Sequence, residues 1–383
     1  MTITAPPPAT AVETAVVQAP EQRFRPRNLS LDSVVSVVGC MISAVALTWI
    51  EYERLLAASG VLGFWVTWYF VFLALYTGVV WLRMRNRLAV VDQIAMALMT
   101  SAGVVVVGAL VLVIGYTASR GYGALHLNFF TNTMYTTGPL DPLNRGGAAH
   151  AMVGTIEQVG IGALIAVPLG IATGVYLNEV QGRLARVVRT VVDAMTALPS
   201  IVAGLFIFAA VILTFHQQKT GFAAAIALAV MMMPIVTRTA EVVLRLVPGG
   251  LREASYALGA PQWRTVLFVV LPTARTSLVT AVILGVARGV GETAPVLLTA
   301  GFTSGMNLNP LKGQQVSLPL YIFNYVRFPQ ADMIARAYGA ALVLLLLVTG
   351  LFIAARLVGG SGPGQVSRQQ RRRIRAAAEA AAQ

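Results

Sequence analysis

Apolar residues in this chain gather into long runs, and the arginines fall largely between them. A helix needs about 20 largely apolar residues to cross the hydrocarbon of a bilayer. Stretches 31–50, 61–82, 91–118, 150–177, 188–214, 220–243, 265–300 and 334–358 meet or approach that length, which predicts an all-α, polytopic membrane helix bundle of eight spans. Several runs contain Gly and Pro, which a membrane bundle tolerates where neighbouring helices or polar side chains satisfy the freed backbone. Pro168, Pro199 and Pro234 are expected to bend or end their helices, and the run 265–300, too long for one crossing, to break near Gly289, Gly291 and Pro295. Gly170 and Gly174, like Gly285 and Gly289, have the small-xxx-small spacing that lets helices pack closely.

Composition agrees: 57% of residues are hydrophobic and 11% charged, against about 45–50% and about 25% in soluble domains. The net charge of +13 does not form the single basic stripe of a nucleic-acid binder, because its arginines sit in short groups between spans. Topology accounts for them. With the N-terminus inside, the groups at 23–27, 83–87, 183–189, 245–264 and 368–375 all fall on the cytoplasmic side, leaving a minority, including Arg120, Arg145, Lys219, Lys312 and Arg336, outside. Both termini are then cytoplasmic: 1–30 as a disordered arm, 359–383 as a basic tail. The outer loops 119–149 and 301–333, dense in Gly, Pro, Asn and aromatics, are either docking surfaces for an extracytoplasmic partner or linkers packed on helix ends.

Cys40, the sole cysteine, excludes an intramolecular disulfide framework and a cysteine zinc site. His126, His150 and His216 are too dispersed for a metal cluster and read as interfacial or structural. No G-x-x-x-x-G-K-[ST] loop is present, so any ATP driving this chain is hydrolysed by another subunit.

The segment LVPGGLREASYALGAPQWRTVLFVVLP, from Leu246 to Pro272, predicts a short helix outside the membrane. Pro248, Gly249 and Gly250 break the preceding helix, 251–258 forms about two turns, and Gly259 with Pro261 ends them. Arg252 and Glu253 offer charge there and Ala254 permits close approach of another surface; an ordinary connector between spans is the alternative.

Glu253, Ala254, Gly259 and Leu271–Pro272, with Val269 in the aliphatic place and Ser255 for the triplet's last alanine, resemble the EAA motif of ATP-binding-cassette (ABC) importer permeases. The resemblance implies that this loop is a coupling helix seated in a groove of an ATPase, with Arg252, Glu253, Ala254 and Gly259 as its coupling residues. PIVTRTAEVVLRLVPGGLREASYALGA from Pro234, GVARGVGETAPVLLTAGF from Gly285 and the stretch 128–156 resemble phosphate importer permeases of the PstA type. That likeness implies a six-span core over 91–358 with its coupling loop at 244–264, preceded by two additional spans at 31–90. It further implies a second, similar permease, two copies of a cytoplasmic ATPase and an extracytoplasmic phosphate-binding protein as partners. ATP and Mg would be bound by the ATPase, and this chain would hold no cofactor and no catalytic residue.

Two charged pairs give that expectation a chemical site. Arg238 and Glu241, three apart, and Arg288 and Glu292, four apart, each read as sharing one helical face near the inner end of a span, where charge is costly and usually faces a bundle interior or an aqueous path. Arginines there can form forked, charge-assisted bonds to an oxyanion while the carboxylates moderate its retention. The competing reading is a local ion pair at each membrane edge. Rival functions are a permease for sulfate or molybdate, an ion-coupled secondary transporter, and a membrane anchor without a path; the inverted repeats and facing carboxylates of a secondary transporter are not evident.

Overall fold

A computed structural model describes residues 31–55, 61–83, 87–180 and 182–359, and among these the only regular secondary structure is helical. The expected N-terminal arm and the tail beyond Gly359 lie outside the described residues. Seven helices among them are long and apolar enough to cross a membrane.

The chain divides into two compact units at Leu110–Val111. The first contains α1 (Leu31–Ile50), α2 (Val61–Arg83) and the beginning of α3 (Arg87–Gly121). Cys40 and Ala44 of α1 pack with Phe72 of α2, so the lone cysteine is a small buried packing residue. Tyr69 and Ser101 share a hydrogen bond of 2.6 Å, tying α2 to α3.

The second unit completes α3 and continues through α4 (Leu127–Thr131), α5 (Ala149–Glu179), α6 (Arg183–Ala197), α7 (Ser200–Ile207), α8 (Gly221–Arg245), α9 (Gly249–Ala257), α10 (Gln262–Thr265), α11 (Leu271–Val290), α12 (Ala294–Thr299), α13 (Leu318–Tyr325) and α14 (Ala331–Gly359). At its centre is α8: 67% of its apolar window is buried, against 28% or less for the other spans. Thr220 caps it, its hydroxyl accepting from the Ala223 amide at 3.1 Å. Lipid is as apolar as a side chain, so close van der Waals contact rather than removal from water holds such helices together. The sequence supplies that contact through glycines on both neighbours of α8. A Cβ at Gly170 or Gly174 of α5 would lie 2.9 Å from Val236 or Ala240, and one at Gly285 or Gly289 of α11 would lie 2.6 Å from Val236 or Met232. The expected small-residue contacts are therefore made, and both sets converge on α8.

The predicted span 188–214 bends at Pro199, as expected of that proline, and does so sharply. Its apolar run is two helices, Arg183–Ala197 and Ser200–Leu213, bent by 106°. Leu198 is extended (φ −67°, ψ 130°) and Pro199 follows with ψ 138°, because a residue before proline is steered from the helical region and proline donates no amide hydrogen. By contrast, Pro168 and Pro234 stand inside α5 and α8 without ending them. The run 265–300 breaks near the expected place, with α11 ending at Val290 and α12 starting at Ala294.

At the end of the bundle away from the α8–α9 loop, connecting segments pack on the helix ends. Arg336, counted in sequence among the outer cations, is buried and donates to the Asp141, Pro142 and Arg145 carbonyls at 2.9, 2.7 and 3.1 Å. Buried Gln315 accepts from Gln158 at its carbonyl, at 3.1 Å, and itself donates to Glu157 and to the Asn307 carbonyl. These contacts favour packed linkers for much of both loops.

Candidate functional site

The charged residues of the α8 end cluster around one carboxylate. Glu241 is buried, its side chain 2% exposed, and three arginines converge on it. Arg189 of α6 donates to Oε1 at 2.8 Å, Arg245 of α8 donates to the same oxygen at 2.5 Å, and Arg238 donates to Oε2 at 2.9 Å. Arg238 also ion-pairs with Asp193 of α6. The helix supplies part of this directly, because residues three and four apart share a face. The bend at Pro199 supplies the rest by laying α6 beside the end of α8, so that Arg189 and Asp193 reach it.

Three guanidiniums thus face two carboxylates, and the cluster carries a formal charge of +1. Arg238 is half-buried, with both its partners held within the chain. An oxyanion arriving there would meet a cation that is positioned but already engaged, so it would have to displace a carboxylate to be gripped in the forked geometry. Such an exchange would limit how tightly an anion could be held there.

The second pair is also formed: Arg288 Nε and Glu292 Oε1 make an ion pair at 2.7 Å, with the arginine 57% and the glutamate 10% exposed. Its placement departs from expectation in two respects. Glu292 is not on a helical face, because α11 ends at Val290 and Glu292 stands in the break before α12. The pair is also at the end of α11 remote from the α9 loop, since α11 leaves that loop at its N-terminus. Contact of Gly289 with Met232 sets Arg288 near the level of Met232 on α8, about 9 Å along the axis from Arg238 at 1.5 Å per residue. Among the described residues no hydrogen bond or ion pair joins the two charged pairs.

The loop helix forms as its sequence predicts, with one change. Pro248 (ψ 133°) separates it from α8, whereas Gly249 and Gly250, expected as breakers, occupy its first turn. Proline's missing amide alone suits a helix entry, and glycine adopts helical angles without steric obstruction. At the other end Gly259 is left-handed (φ +79°). Its amide bonds to the Tyr256 carbonyl at 2.9 Å and the Ala260 amide to the Ser255 carbonyl at 3.2 Å, the paired bonds of a Schellman cap. No residue of α9 is buried, and Glu253 and Ala254 are exposed. Arg252 differs: only 18% exposed, it turns back and bonds to the Leu244 and Val247 carbonyls and to Glu179. Ser255 shares a hydrogen bond of 2.8 Å with Thr265, joining α9 to α10.

Of the sequence-derived site residues, Arg238 and Glu241 are thus brought together in a larger cluster, Arg288 and Glu292 in a separate pair, and Glu253, Ala254 and Gly259 on an exposed helix. Arg189, Asp193, Arg245 and Glu179 were missed. Arg245 was legible at four residues from Glu241, but Arg189 stands 52 residues away and had been read only as a topological charge.

Among the described residues, a bundle of apolar helices thus carries a capped, projecting helix between α8 and α11 and gathers charge at the end of α8, an arrangement suited to a transport component. Comparison with known proteins agrees: residues 166–360 match the binding-protein-dependent transport system inner membrane component family. The chain belongs to this family. Within it the chain is 40% identical over 279 residues to the phosphate transport system permease protein PstA 1 of Mycobacterium tuberculosis (strain CDC 1551 / Oshkosh), covering 72% of this chain and 90% of that protein. It is 35% identical over 281 residues to the phosphate transport system permease protein PstA of Yersinia pestis, covering 73% and 91%. Inward-facing MetNI methionine ABC transporter aligns with a TM-score of 0.43 at 24% identity, covering 55% of this chain and 91% of the solved one.

Proposed function

We propose that this chain is the transmembrane permease subunit of an ATP-driven importer of inorganic phosphate, and that Arg238 and Arg288 contact phosphate as it crosses. The observation that carries this reading is the cluster on Glu241: an arginine held part-way into the central span by carboxylates that an oxyanion can replace. Its kinship with PstA permeases supports phosphate as that oxyanion.

In this reading the termini and α9 are cytoplasmic, the Gln315 region is extracytoplasmic, and α9 is the coupling helix. Two copies of an ATPase, a second, similar permease and an extracytoplasmic phosphate-binding protein complete the importer. ATP closes the ATPases, α9 moves with them, and the path opens outward to accept phosphate from its binding protein. Arg288, nearer the outer end, meets the anion first, and Arg238 receives it deeper, where Glu241 and Asp193 return to Arg238 as the anion departs. A ladder of two engaged cations keeps each step reversible, which a path needs and a tight binding site does not.

The test is phosphate uptake in a strain deleted for this chain and complemented with it, together with purification of the tagged chain. Restored phosphate uptake with co-purified ATPase supports the assignment. Restored sulfate or molybdate uptake in place of phosphate replaces the substrate, and activity of the lone chain replaces the class.

A further inference from the structure

On a helix with no fully buried residue, Arg252 faces inward. Its Nη1 donates to the Val247 carbonyl at 2.9 Å, and its Nη2 to the Leu244 carbonyl at 3.0 Å and to Glu179 Oε1 at 3.1 Å. Leu244 and Val247 bracket the exit of α8, the helix end that favours a cation, and the Leu244 carbonyl also accepts from the Val247 amide at 3.3 Å. Glu179 is the last residue of α5, and its side chain is 8% exposed. Its Oε1 also accepts from Asn178 at 2.7 Å, and its main-chain carbonyl accepts from Gln262 of α10 at 3.0 Å. One guanidinium therefore ties α9 to the ends of both α5 and α8.

The same end of α5 is linked onward. Arg189 donates to the Leu177 carbonyl at 3.3 Å and to Glu241 at 2.8 Å, and Glu241 holds Arg238. Charge-assisted bonds thus reach the last turn of α5 from two sides, Arg252 at the Glu179 carboxylate and Arg189 at the Leu177 carbonyl, and the backbone of that turn connects α9 to the cluster that restrains Arg238.

We propose that Arg252 and Glu179 form a clamp through which displacement of α9 moves the end of α5 and thereby the Arg189–Glu241–Arg238 cluster. This rests on α9 being the coupling helix. Arg252 is then a positioning residue within the chain and not the ATPase contact that its place in the loop suggests. The contact belongs to the exposed side of α9, where Glu253 and Ala254 stand. The clamp is suited to this task because a short helix joined to the bundle only by its flanking turns would swing about them, whereas a part-buried ion pair transmits displacement in either direction.

Glu179→Gln separates the clamp from a simpler role for Arg252 as a cap on α8. It preserves size and leaves both carbonyl bonds of Arg252 in place, removing only the ionic link. Arg252→Lys retains the charge but loses the fork that spans three acceptors. A charge exchange is unsuitable, since a carboxylate at 252 would face the Leu244 and Val247 carbonyls.

The wild-type chain, Arg252→Gln, Arg252→Lys, Glu179→Gln and the Arg252→Gln/Glu179→Gln pair are expressed with the other importer subunits. Recovered ATPase, ATP hydrolysis and phosphate uptake are measured for each. Coupling free energies between sites correspond to about 5- to 150-fold effects, so phosphate moved per ATP is expected to fall about ten-fold in either glutamine variant while recovered ATPase stays within about two-fold of wild type. The pair is expected to be no worse than either single variant, since both break one link, and Arg252→Lys to retain part of the coupling. Loss of ATPase recovery in Arg252→Gln but not in Glu179→Gln would make Arg252 a direct contact and overturn the clamp. Full coupling in Glu179→Gln would overturn it as well, reducing Arg252 to a cap. Recovery of no ATPase with the wild-type chain would instead remove the importer reading and the clamp with it.

Discussion

Gly285 of α11 and Val236 of α8 approach so closely that a Cβ on the glycine would stand 2.6 Å from Val236 Cγ2. Alanine at 285 therefore forces the helices apart or Val236 out of its place, and overpacking of this kind costs about 1–3 kcal/mol. Gly285→Ala should lower the thermal stability of the detergent-solubilised chain, and Val236→Ala introduced with it should recover most of the loss. Melting followed by size-exclusion fluorescence measures both. An unchanged melting temperature for Gly285→Ala would mean that the α8–α11 contact is looser than these distances imply.

Glu241 is the single carboxylate on which Arg189, Arg238 and Arg245 all converge. Glu241→Gln leaves three cations facing only Asp193, but these arginines are 32–58% exposed and open to water, so the loss falls below the about 3–5 kcal/mol of breaking a fully buried pair. Each single arginine removal leaves Glu241 two partners and should cost less. The expected order is Glu241→Gln far below Arg189→Gln and Arg245→Gln in yield of folded chain and in melting temperature. Equal losses for all three would mean that Glu241 is not the organising centre.

The spans were legible because hydrocarbon accepts little besides apolar residues over a fixed length, and the glycine spacings because close packing has few solutions there. The bend at Pro199 was expected, but its size of 106° was not, since proline marks a turn without fixing its angle. The way α6 folds back also hid the site. A pair such as Arg238–Glu241 can be read from local spacing, but Arg189 reaches Glu241 only once α6 has been folded back beside α8. Arg252 illustrates a finer limit: its charge and its exposed helix were both foreseeable, whereas the face it occupies depends on where α5 ends.

Gly259 closes α9 with φ +79°, a conformation that side chains with a branched Cβ strongly resist. Nothing stands within 4 Å of the Cβ position, so a substitution acts there through backbone strain and not through collision. Gly259→Val should leave the chain inserted but disorder the end of α9, reducing ATPase recovery and phosphate uptake together. Gly259→Asn, which tolerates the left-handed region better, should fall between Gly259→Val and wild type. Normal recovery and uptake in the valine variant would separate the shape of α9 from coupling.

Arg288 and Arg238 differ in how firmly they are engaged, and the difference predicts different phenotypes on the anion path. Arg288 is more exposed and carries one described ion-pair partner, Glu292, while Arg238 is half-buried between Glu241 and Asp193. Arg288→Gln keeps hydrogen-bonding capacity but removes the charge and the fork, leaving the 10%-exposed Glu292 without this ion-pair partner. It should abolish most phosphate uptake while leaving insertion and ATPase recovery intact, and Arg288→Lys should restore only part because a point charge cannot grip an oxyanion bidentately. Arg238→Gln should lower uptake as severely and also lower stability, since it leaves Asp193 without this ion pair and removes one of three partners from Glu241. Glu292→Gln releases Arg288 from its carboxylate, so the anion is held longer and the maximal uptake rate falls while the phosphate concentration at half-saturation falls too. Uptake kinetics and assembly measured on all four variants decide the matter. Near-normal uptake in both arginine variants to glutamine removes the path from these residues, and loss of assembly in every variant assigns them to holding the helices together.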